Sequence, residues 1–381
     1  MAILVIASVL LLLFLYISFH KITVPILWII GIAIVLRIAM TVSFVNIDNN
    51  DTRYHREIAS LILHGNNVYD VNGGPRSPYL PLLVYAQAGA LLLEQRYDVP
   101  LLFTLKLLFS AFDVGIVWLL YRMTKNNLQA PLLYAINPIS ILITTVHGQF
   151  DIPALFFLLL ATYLLQKKNE AAAATAFAFG IAWKTWPVLF LIPFIKHVRK
   201  KRYLLLVLCI PLVLVLFYSY FFHAQLLTIV RPQVTFRGGF GAWGIPMILG
   251  GTLLAQLNTV RMLKVMSNLV LLGIFAYAIR MKPRRLLQDL FQILLIFFIF
   301  SPAFGIQWTT WIVPFLILLK PSLWRALVVV FTSWIAIAQG SWIMPQHSPV
   351  VLNLMLPLVT LHGIIGWAAV LILFIRNNRT S

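Results

Sequence analysis

Charged side chains are scarce in this sequence. Asp, Glu, Lys and Arg together make up 10% of the 381 residues, whereas a soluble domain carries about a quarter charged residues. Hydrophobic residues take their place, at 61% of the chain. This balance excludes an ordinary soluble globular protein and favours an integral membrane protein.

Cysteine and acidic residues are especially few. The single cysteine, Cys209, excludes an intramolecular disulfide. Ten acidic residues against 29 basic ones leave a net charge of +19, which in a soluble chain would suggest nucleic-acid binding. The Lys and Arg residues instead fall in short clusters between apolar runs, as in the cytoplasmic loops of membrane proteins. We therefore expect membrane lipids as partners, and no nucleic acid.

Apolar runs divide the chain into about 11–13 candidate membrane spans. The sequence predicts an all-α, polytopic transmembrane helix bundle in which residues 1–381 form a single integral membrane domain. Several runs are shorter than the roughly 20 residues that a helix needs to cross the hydrocarbon core, so some are expected to be tilted, broken or re-entrant. The runs are 1–19, 23–44, 100–121, 128–146, 152–166, 171–184, 186–196, 203–222, 264–279, 286–302, 308–319, 324–343 and 350–375.

The charge of the loops predicts the orientation. Lys and Arg collect in alternate loops, which the positive-inside rule assigns to the cytoplasm. The opposite side receives two long loops, 45–99 and 223–263, and seven of the ten acidic residues. Chemistry that needs carboxylates is therefore expected at the extracytoplasmic face. A prokaryotic plasma membrane is favoured, because the final Arg379-Thr380-Ser381 is not a eukaryotic retention signal.

The first external loop predicts two amphipathic, interfacial helices. Asp51 or Thr52 suits the N-cap of the first helix and Gly65 its C-cap; the second runs from about 79 to 94. The apolar face of the first helix is formed by Ile58, Leu61 and Ile62. Asp48 and Asp51 precede this face, and either could act as a general base, although helix capping alone would also explain Asp51.

Short motifs in this loop resemble the first-loop signature of the GT-C glycosyltransferases. They are Asp51-Thr52-Arg53-Tyr54, Ala59, Gly65, Val68-Tyr69 and Tyr79-Leu80-Pro81. The narrower resemblance is to polyprenyl-phosphate-mannose-dependent mannosyltransferases, both the bacterial phosphatidylinositol-mannoside enzymes and those of glycolipid-anchor synthesis. It implies that Asp51 is the catalytic base, and Arg53 and Tyr79 are candidate donor-binding residues in the same loop. The anchor-type enzymes often have an acidic residue where this chain has Arg53, so Asp48 remains a rival base.

Two later elements extend the resemblance. His147-Gly148-Gln149-Phe150-Asp151 is similar to the family's Gly-Gln-x-Asp turn, and Lys184-Thr185-Trp186-Pro187 to its Lys-x-x-Pro element. This similarity implies that His147, Gln149, Asp151 and Lys184 bind the phosphate or the sugar of the donor, for which a lysine ammonium is suitable. Snorkelling of Lys184 to the headgroups and helix capping by Gln149 and Asp151 are the alternatives.

Other candidate donor-binding residues lie outside these motifs. Arg37 precedes the first loop, where the family commonly has an Arg, and it could instead form a structural ion pair with Asp113. Arg231 and Arg237 in the second long loop could clamp a phosphate or sugar, or bind lipid headgroups. Trp308 could stack on a sugar face. No metal or other cofactor is expected, because His147 has no Cys or second His at ligand spacing.

The resemblance implies a glycosyltransferase that moves a hexose, with mannose favoured, from a polyprenyl-phosphate-sugar donor to a lipid or glycan acceptor. Inversion at C1 is expected, with Asp51 as the base. Two other classes stay open: a transporter or flippase of a lipid-linked or anionic substrate, and a scaffold subunit with an inactive GT-C fold. A transporter predicts that Arg37, Lys106 and Asp113 line a central path, whereas a transferase predicts that Asp51 and Lys184 line one externally open cavity.

Overall fold

The computed structural model describes residues 2–47, 50–70, 79–235, 242–244, 247, 259–345 and 347–379. Within these ranges the chain forms helices joined by turns and short extended links, and it forms no strand. The all-α class that the sequence predicts is therefore confirmed.

The helices are numbered in chain order. They are α1 (Ala2–Phe19), α2 (Ile26–Ser43), α3 (Asn50–Leu63), α4 (Pro81–Tyr97), α5 (Leu101–Met123), α6 (Gln129–Ala135), α7 (Pro138–Ile141), α8 (Ile152–Gln166), α9 (Glu170–Trp183), α10 (Leu191–His197), α11 (Leu204–Phe222), α12 (Leu226–Thr235), α13 (Thr259–Arg280), α14 (Leu286–Phe300), α15 (Thr309–Leu319), α16 (Trp324–Ile343) and α17 (Leu356–Arg379). Single 3-10 segments lie at Trp186–Phe190, Lys201–Tyr203 and Ile306–Trp308, and π-helical turns at Leu142–His147 and Val351–Met355.

Proline marks the start of several helices. Pro81 and Pro138 open α4 and α7, and Pro153 occupies the second position of α8. Proline suits the first helical turn, because the backbone N–H that it lacks has no intrahelical acceptor there. Pro138 therefore divides the predicted run 128–146 into the helices α6 and α7.

Within the described residues, six helical segments are long and apolar enough to cross a membrane. They are Ala2–Phe19, Ile26–Ser43, Leu101–Met123, Gln129–His147, Lys201–Phe222 and Val351–Asn378. Several further apolar helices are shorter, such as Ile152–Gln166 and Glu170–Trp183. The predicted run 186–196 forms a 3-10 turn that continues directly into the seven-residue α10, and the run 308–319 forms α15 together with the last residue of the preceding 3-10 turn. Both are continuous helical segments shorter than a full span.

The chain divides into two compact units. Unit 1 comprises Met1–Ile32, Thr124–Ile143 and Arg237–Ser381, and unit 2 comprises Ala33–Met123 and Thr144–Phe236. In unit 1, α16 packs against α1 and α17, and α17 also packs against α14. An aromatic cluster lies in this unit: the ring of Trp243 stacks on Phe304 and Trp334, with centroids 4.0 and 5.3 Å away.

Unit 2 is built around the adjacent helices α8 and α9. α8 packs against α9 and α5, α11 packs against α9 and α4, and α3 lies on α4. Close approach of α5 and α8 needs a glycine: a Cβ at Gly115 would stand 2.7 Å from Cε2 of Phe156. The shared core joins residues from five helices and one turn: Ala59, Leu83, Ala90, Leu91, Leu101, Leu105, Phe109, Phe150, Ala154 and Trp183.

The helix α3 is amphipathic, as predicted. Ile58 and Ile62 are buried together with Ala59, whereas Arg53 and Glu57 face outward. The predicted N-cap at its start is wrong, because the helix begins before both candidate residues. The helix begins at Asn50, so Asp51 and Thr52 stand within its first turn instead of at the N-cap.

The C-terminal end of α3 agrees with the sequence. Gly65 has a φ of +75°, its N–H donates to Ile62 O at 2.9 Å, and the N–H of Asn66 donates to Leu61 O at 2.9 Å. These two bonds form a Schellman motif, which needs the left-handed conformation that glycine adopts without strain. The second helix, α4, spans Pro81–Tyr97 and covers nearly all of the predicted 79–94.

Candidate functional site

The turn 147–151 lies at the centre of the candidate site in unit 2. Gly148 has a φ of +74°, and a Cβ there would stand 3.0 Å from Cε of Lys106 and 3.6 Å from Cγ2 of Thr52. Glycine is therefore needed both for the backbone conformation and for the close packing. The packing brings the turn against α5 and against the first turn of α3, to which Asp51 belongs.

A buried ion pair joins this turn to the end of α9. Lys184 Nζ donates to Oδ2 of Asp151 at 2.8 Å, and the two side chains are 10% and 0% exposed. The helix α9 ends at Trp183, and Lys184 continues with an extended backbone. The indole N–H of Trp183 donates to Phe150 O at 2.8 Å and fixes this junction. The ammonium of Lys184 is thus held inside the protein, which excludes the snorkelling alternative.

Aromatic rings enclose the Lys184 ammonium. Its Nζ lies 4.2 Å from the ring centroid of Phe150 and 5.2 Å from that of Tyr79, and the two rings meet edge to face at 4.8 Å. Such rings attract a cation electrostatically and exclude water from it. The hydroxyl of Tyr69 donates to Tyr79 O at 2.6 Å and holds this segment in place.

The remaining polar residues of the turn are buried as well. The amide of Gln149 lies 3.1 Å from Nε2 of His147, and both side chains are at most 5% exposed. Asp151 occupies the N-cap position of α8, although its carboxylate faces Lys184. The structure therefore brings together His147, Gln149, Asp151, Lys184 and Tyr79, five of the residues that the sequence predicts.

Two buried polar residues of the site were missed from the sequence. His55 is one helical turn after Asp51 in α3, and its Nδ1 lies 2.6 Å from Nε2 of Gln87 in α4. The imidazole also meets the ring of Phe150 edge to face, with centroids 5.4 Å apart. The sequence signal that could have identified His55 is its position on the apolar face of an amphipathic helix. No feature of the sequence pointed to Gln87.

Arg53 lies in a surface groove of unit 2. The groove has a volume of about 440 Å³ and is lined by Thr52, Arg53, Arg56, Glu57, Leu101 and Leu102. At its edge the guanidinium of Arg56 binds both carboxylate oxygens of Glu94, at 2.6 and 2.9 Å. The hydrogen bond from Arg56 lowers the pKa of Glu94, and the same bond raises the pKa of Arg56.

Arg37 has a protein partner. Its Nε donates to Oδ2 of Asp113 at 2.8 Å, both side chains are at most 1% exposed, and Nη1 donates to Ala33 O at 3.2 Å. The ion pair with Asp113, one of the two alternatives, is therefore the observed arrangement. Arg37 also lines a crevice of about 290 Å³ between α2 and α5, together with Ser110.

The other predicted residues lie elsewhere or outside the described chain. Arg231 is exposed in α12. Trp308 belongs to unit 1, where its ring stacks on Trp311 with centroids 5.2 Å apart. Asp48, Arg237 and the side chain of Asp51 lie outside the described residues, so the prediction that Asp51 and Lys184 line one cavity stays a prediction.

The described residues contain no candidate metal centre, and the sequence gives no family assignment. No group of three or more His, Cys, Asp or Glu side chains within it could hold a metal ion. No protein-family model matches the sequence. The likeness to GT-C glycosyltransferases therefore depends on the short motifs, and the functional argument depends on the geometry of unit 2.

Proposed function

We propose that this protein is a multi-pass membrane glycosyltransferase of the GT-C type, in the plasma membrane of a prokaryote. It moves a hexose, with mannose favoured, from a polyprenyl-phosphate donor to a lipid or glycan acceptor at the extracytoplasmic face. The six apolar helices of spanning length support the membrane location. The short motifs that resemble those of the mannosyltransferases support the reaction.

The convergence of three separate segments on the Lys184 ammonium carries the proposal. Tyr79, the turn 147–151 and the end of α9 are distant in sequence, and they meet around this buried ammonium. The first turn of α3 packs against the same turn at Gly148. Burying an ion pair costs desolvation energy, which the attraction between the charges often only offsets. A buried pair at such a junction is therefore better explained by a role in binding or catalysis than by a gain in stability.

The chemistry of Lys184 fits a phosphate ligand. An ammonium has three N–H donors, and Asp151 accepts one of them. The other two can donate to oxygens of the donor phosphate in a site where Phe150 and Tyr79 lower the local dielectric. Asp151 fixes the position of the ammonium, and Lys184 stabilises the negative charge that develops as the phosphate departs.

The proposed reaction is a single displacement. The acceptor hydroxyl oxygen attacks C1 of the sugar, the bond between C1 and the phosphate oxygen breaks, and Asp51 takes the hydroxyl proton. The polyprenyl phosphate leaves with the electron pair, so it needs no general acid. Attack from the side opposite the phosphate inverts the configuration at C1, through a transition state like that of inverting glycosidases.

A transporter of a lipid-linked or anionic substrate is the second candidate. The buried Arg37–Asp113 pair between α2 and α5, two helices of spanning length, favours it, because charges within a membrane commonly mark ion or substrate pathways. Lys106, also in α5, is buried as well. The convergence on Lys184 has no counterpart in the transporter hypothesis, so we rank the transferase first.

The decisive test is transfer of radiolabelled mannose from polyprenyl phosphate by membranes that contain the full-length protein. We expect Asp51→Asn to lower the rate about 10³-fold at matched expression, since a positioned general base contributes about 10²–10⁴-fold. Asp70→Asn is the matched control, because Asp70 lies in the same loop and is exposed.

The alternatives give different results. Loss of transfer in Asp48→Asn alone would move the base three residues upstream. If the wild type transferred no sugar from several lipid-linked donors, the transferase would be refuted, and flux of a lipid-linked sugar across vesicles that contain the protein would test the transporter.

A further inference from the structure

Lys106 is a buried cation that the proposed reaction does not use. It lies in α5 with 1% of its surface exposed. Its Nζ donates to two backbone carbonyls, Phe44 O at 2.7 Å and Val146 O at 3.2 Å. Among the described residues, no carboxylate forms an ion pair with it. A buried charge of this kind is costly and calls for a specific role.

Helix ends explain how the structure tolerates this cation. Phe44 directly follows α2, and Val146 lies near the end of the π-helical turn Leu142–His147. The carbonyls at a helix C-terminus lack intrahelical donors and carry partial negative charge, which favours a nearby cation. Lys106 therefore faces two such C-terminal ends at once, and two of its three N–H donors connect them.

Both connected ends lead directly into the candidate site. The segment after Phe44 carries Asp48 and Asp51, the two candidate bases. The residue after Val146 is His147, the first residue of the turn that contains Asp151. Cε of Lys106 also packs against Gly148, where an added Cβ would lie 3.0 Å away. A single side chain thus joins the backbone that precedes the base to the backbone that precedes the partner of Lys184.

We propose that Lys106 is a positioning residue for the transferase reaction. It holds Phe44, at the end of α2 and shortly before the candidate bases in sequence, against Val146, which leads into the turn 147–151 and the Lys184 phosphate site. This inference rests on the proposed function for its effect on rate, but the structural link that it describes is independent of that function. Misplacement of reacting groups by about 1 Å can lower a rate about 10²-fold.

Two substitutions separate the contributions of Lys106. Lys106→Met removes the donors and the charge while retaining an unbranched chain. Lys106→Gln is neutral but keeps an N–H₂ group with two donors. Lys264→Met is the matched control, because Lys264 is exposed in α13 of unit 1. The full-length variants are compared in lipid nanodiscs by amide hydrogen exchange and by sugar transfer.

We expect Lys106→Met to accelerate exchange at least tenfold in residues 44–57 and 144–150, with unit 1 unchanged. The kcat should fall 10- to 100-fold, while the KM for the donor changes less than threefold. Lys106→Gln should retain part of the protection and part of the kcat, because its amide can still bond a carbonyl. Lys264→Met should match the wild type in both measurements.

Several outcomes would overturn the inference. Unchanged exchange in both segments would show that Lys106 does not hold them. Faster exchange throughout both units, with normal transfer per folded molecule, would show a role in general stability. A large rise in the donor KM at constant kcat would make Lys106 a donor ligand. If the wild type transferred no sugar, the proposed function would fail, and the exchange measurement alone would decide whether Lys106 connects the two segments.

Discussion

The Lys184–Asp151 pair offers a test that separates stability from function. At 2.8 Å and an effective dielectric of about 20, the attraction between the charges is about 6 kcal/mol before desolvation is subtracted. Removing one partner leaves the other buried without its counter-charge, which costs about 3–5 kcal/mol. We therefore expect Asp151→Asn and Lys184→Met each to lower the Tm by roughly 4–6 °C for a chain of this length.

The double variant Asp151→Asn/Lys184→Met removes both charges together. Because no uncompensated charge then remains, its loss of stability should be smaller than the sum of the two single losses by about 2–3 kcal/mol. Sugar transfer should stay low in all three variants, since none retains the ammonium in its fixed position. The assay combines thermal unfolding in detergent with initial rates of transfer from the polyprenyl-phosphate donor.

Two results would refute this reasoning. A change below 1 kcal/mol in Asp151→Asn would mean that the pair is not buried as the structure shows. Recovery of wild-type transfer in the double variant would mean that the pair is structural and that Lys184 does not bind the donor phosphate. Lys264→Met again serves as the control, since it removes an exposed charge outside unit 2.

Two further predictions concern the same unit. Gly148→Ala should cost about 1–2 kcal/mol from its positive φ alone and should lower transfer more than tenfold by displacing Lys106; a variant with normal rate and Tm would contradict this. The Arg56–Glu94 pair should stabilise the fold by at most about 1 kcal/mol, because Arg56 is 58% exposed. As Arg56 lowers the pKa of Glu94, this contribution should be present above the unfolded pKa of about 4.5 and disappear as the pH falls through the lower folded value. The Tm difference between wild type and Glu94→Gln, measured from pH 7 to pH 3, checks it, and a difference that grows toward acid pH would be inconsistent with the pair.

The sequence predicted those features of the fold that depend on residues close together in the chain. The C-terminal end of α3 follows from Gly65, because a left-handed residue is needed one position past the C-cap of the helix, and glycine adopts that conformation freely. The buried face of α3 follows from the spacing of Ile58 and Ile62. The start of the same helix was misplaced, because Asn50 begins the helix before the residues that seemed best suited to cap it.

The sequence did not predict the Lys184–Asp151 pair, and it gave the Arg37–Asp113 pair only as one of two alternatives. Lys184 and Asp151 are 33 residues apart, and Arg37 and Asp113 are 76 apart. For Lys184 the sequence offered the donor phosphate or the lipid headgroups as the partner, and for Arg37 it offered the donor or Asp113. The choice depends on which helices pack together, and hydropathy does not encode that. The bond between His55 and Gln87 was missed for the same reason.

Composition and hydropathy alone determined that this chain is helical and rich in segments suited to a membrane, because burial of apolar residues and backbone hydrogen bonding act over short stretches of chain. Motif order alone suggested which residues might share a site. Only the tertiary structure placed Tyr79, Phe150 and Asp151 around Lys184, and only it showed that Lys106 joins the ends of two helical segments. Buried charges and polar groups find their partners through long-range packing, and that packing is decided when the helices assemble.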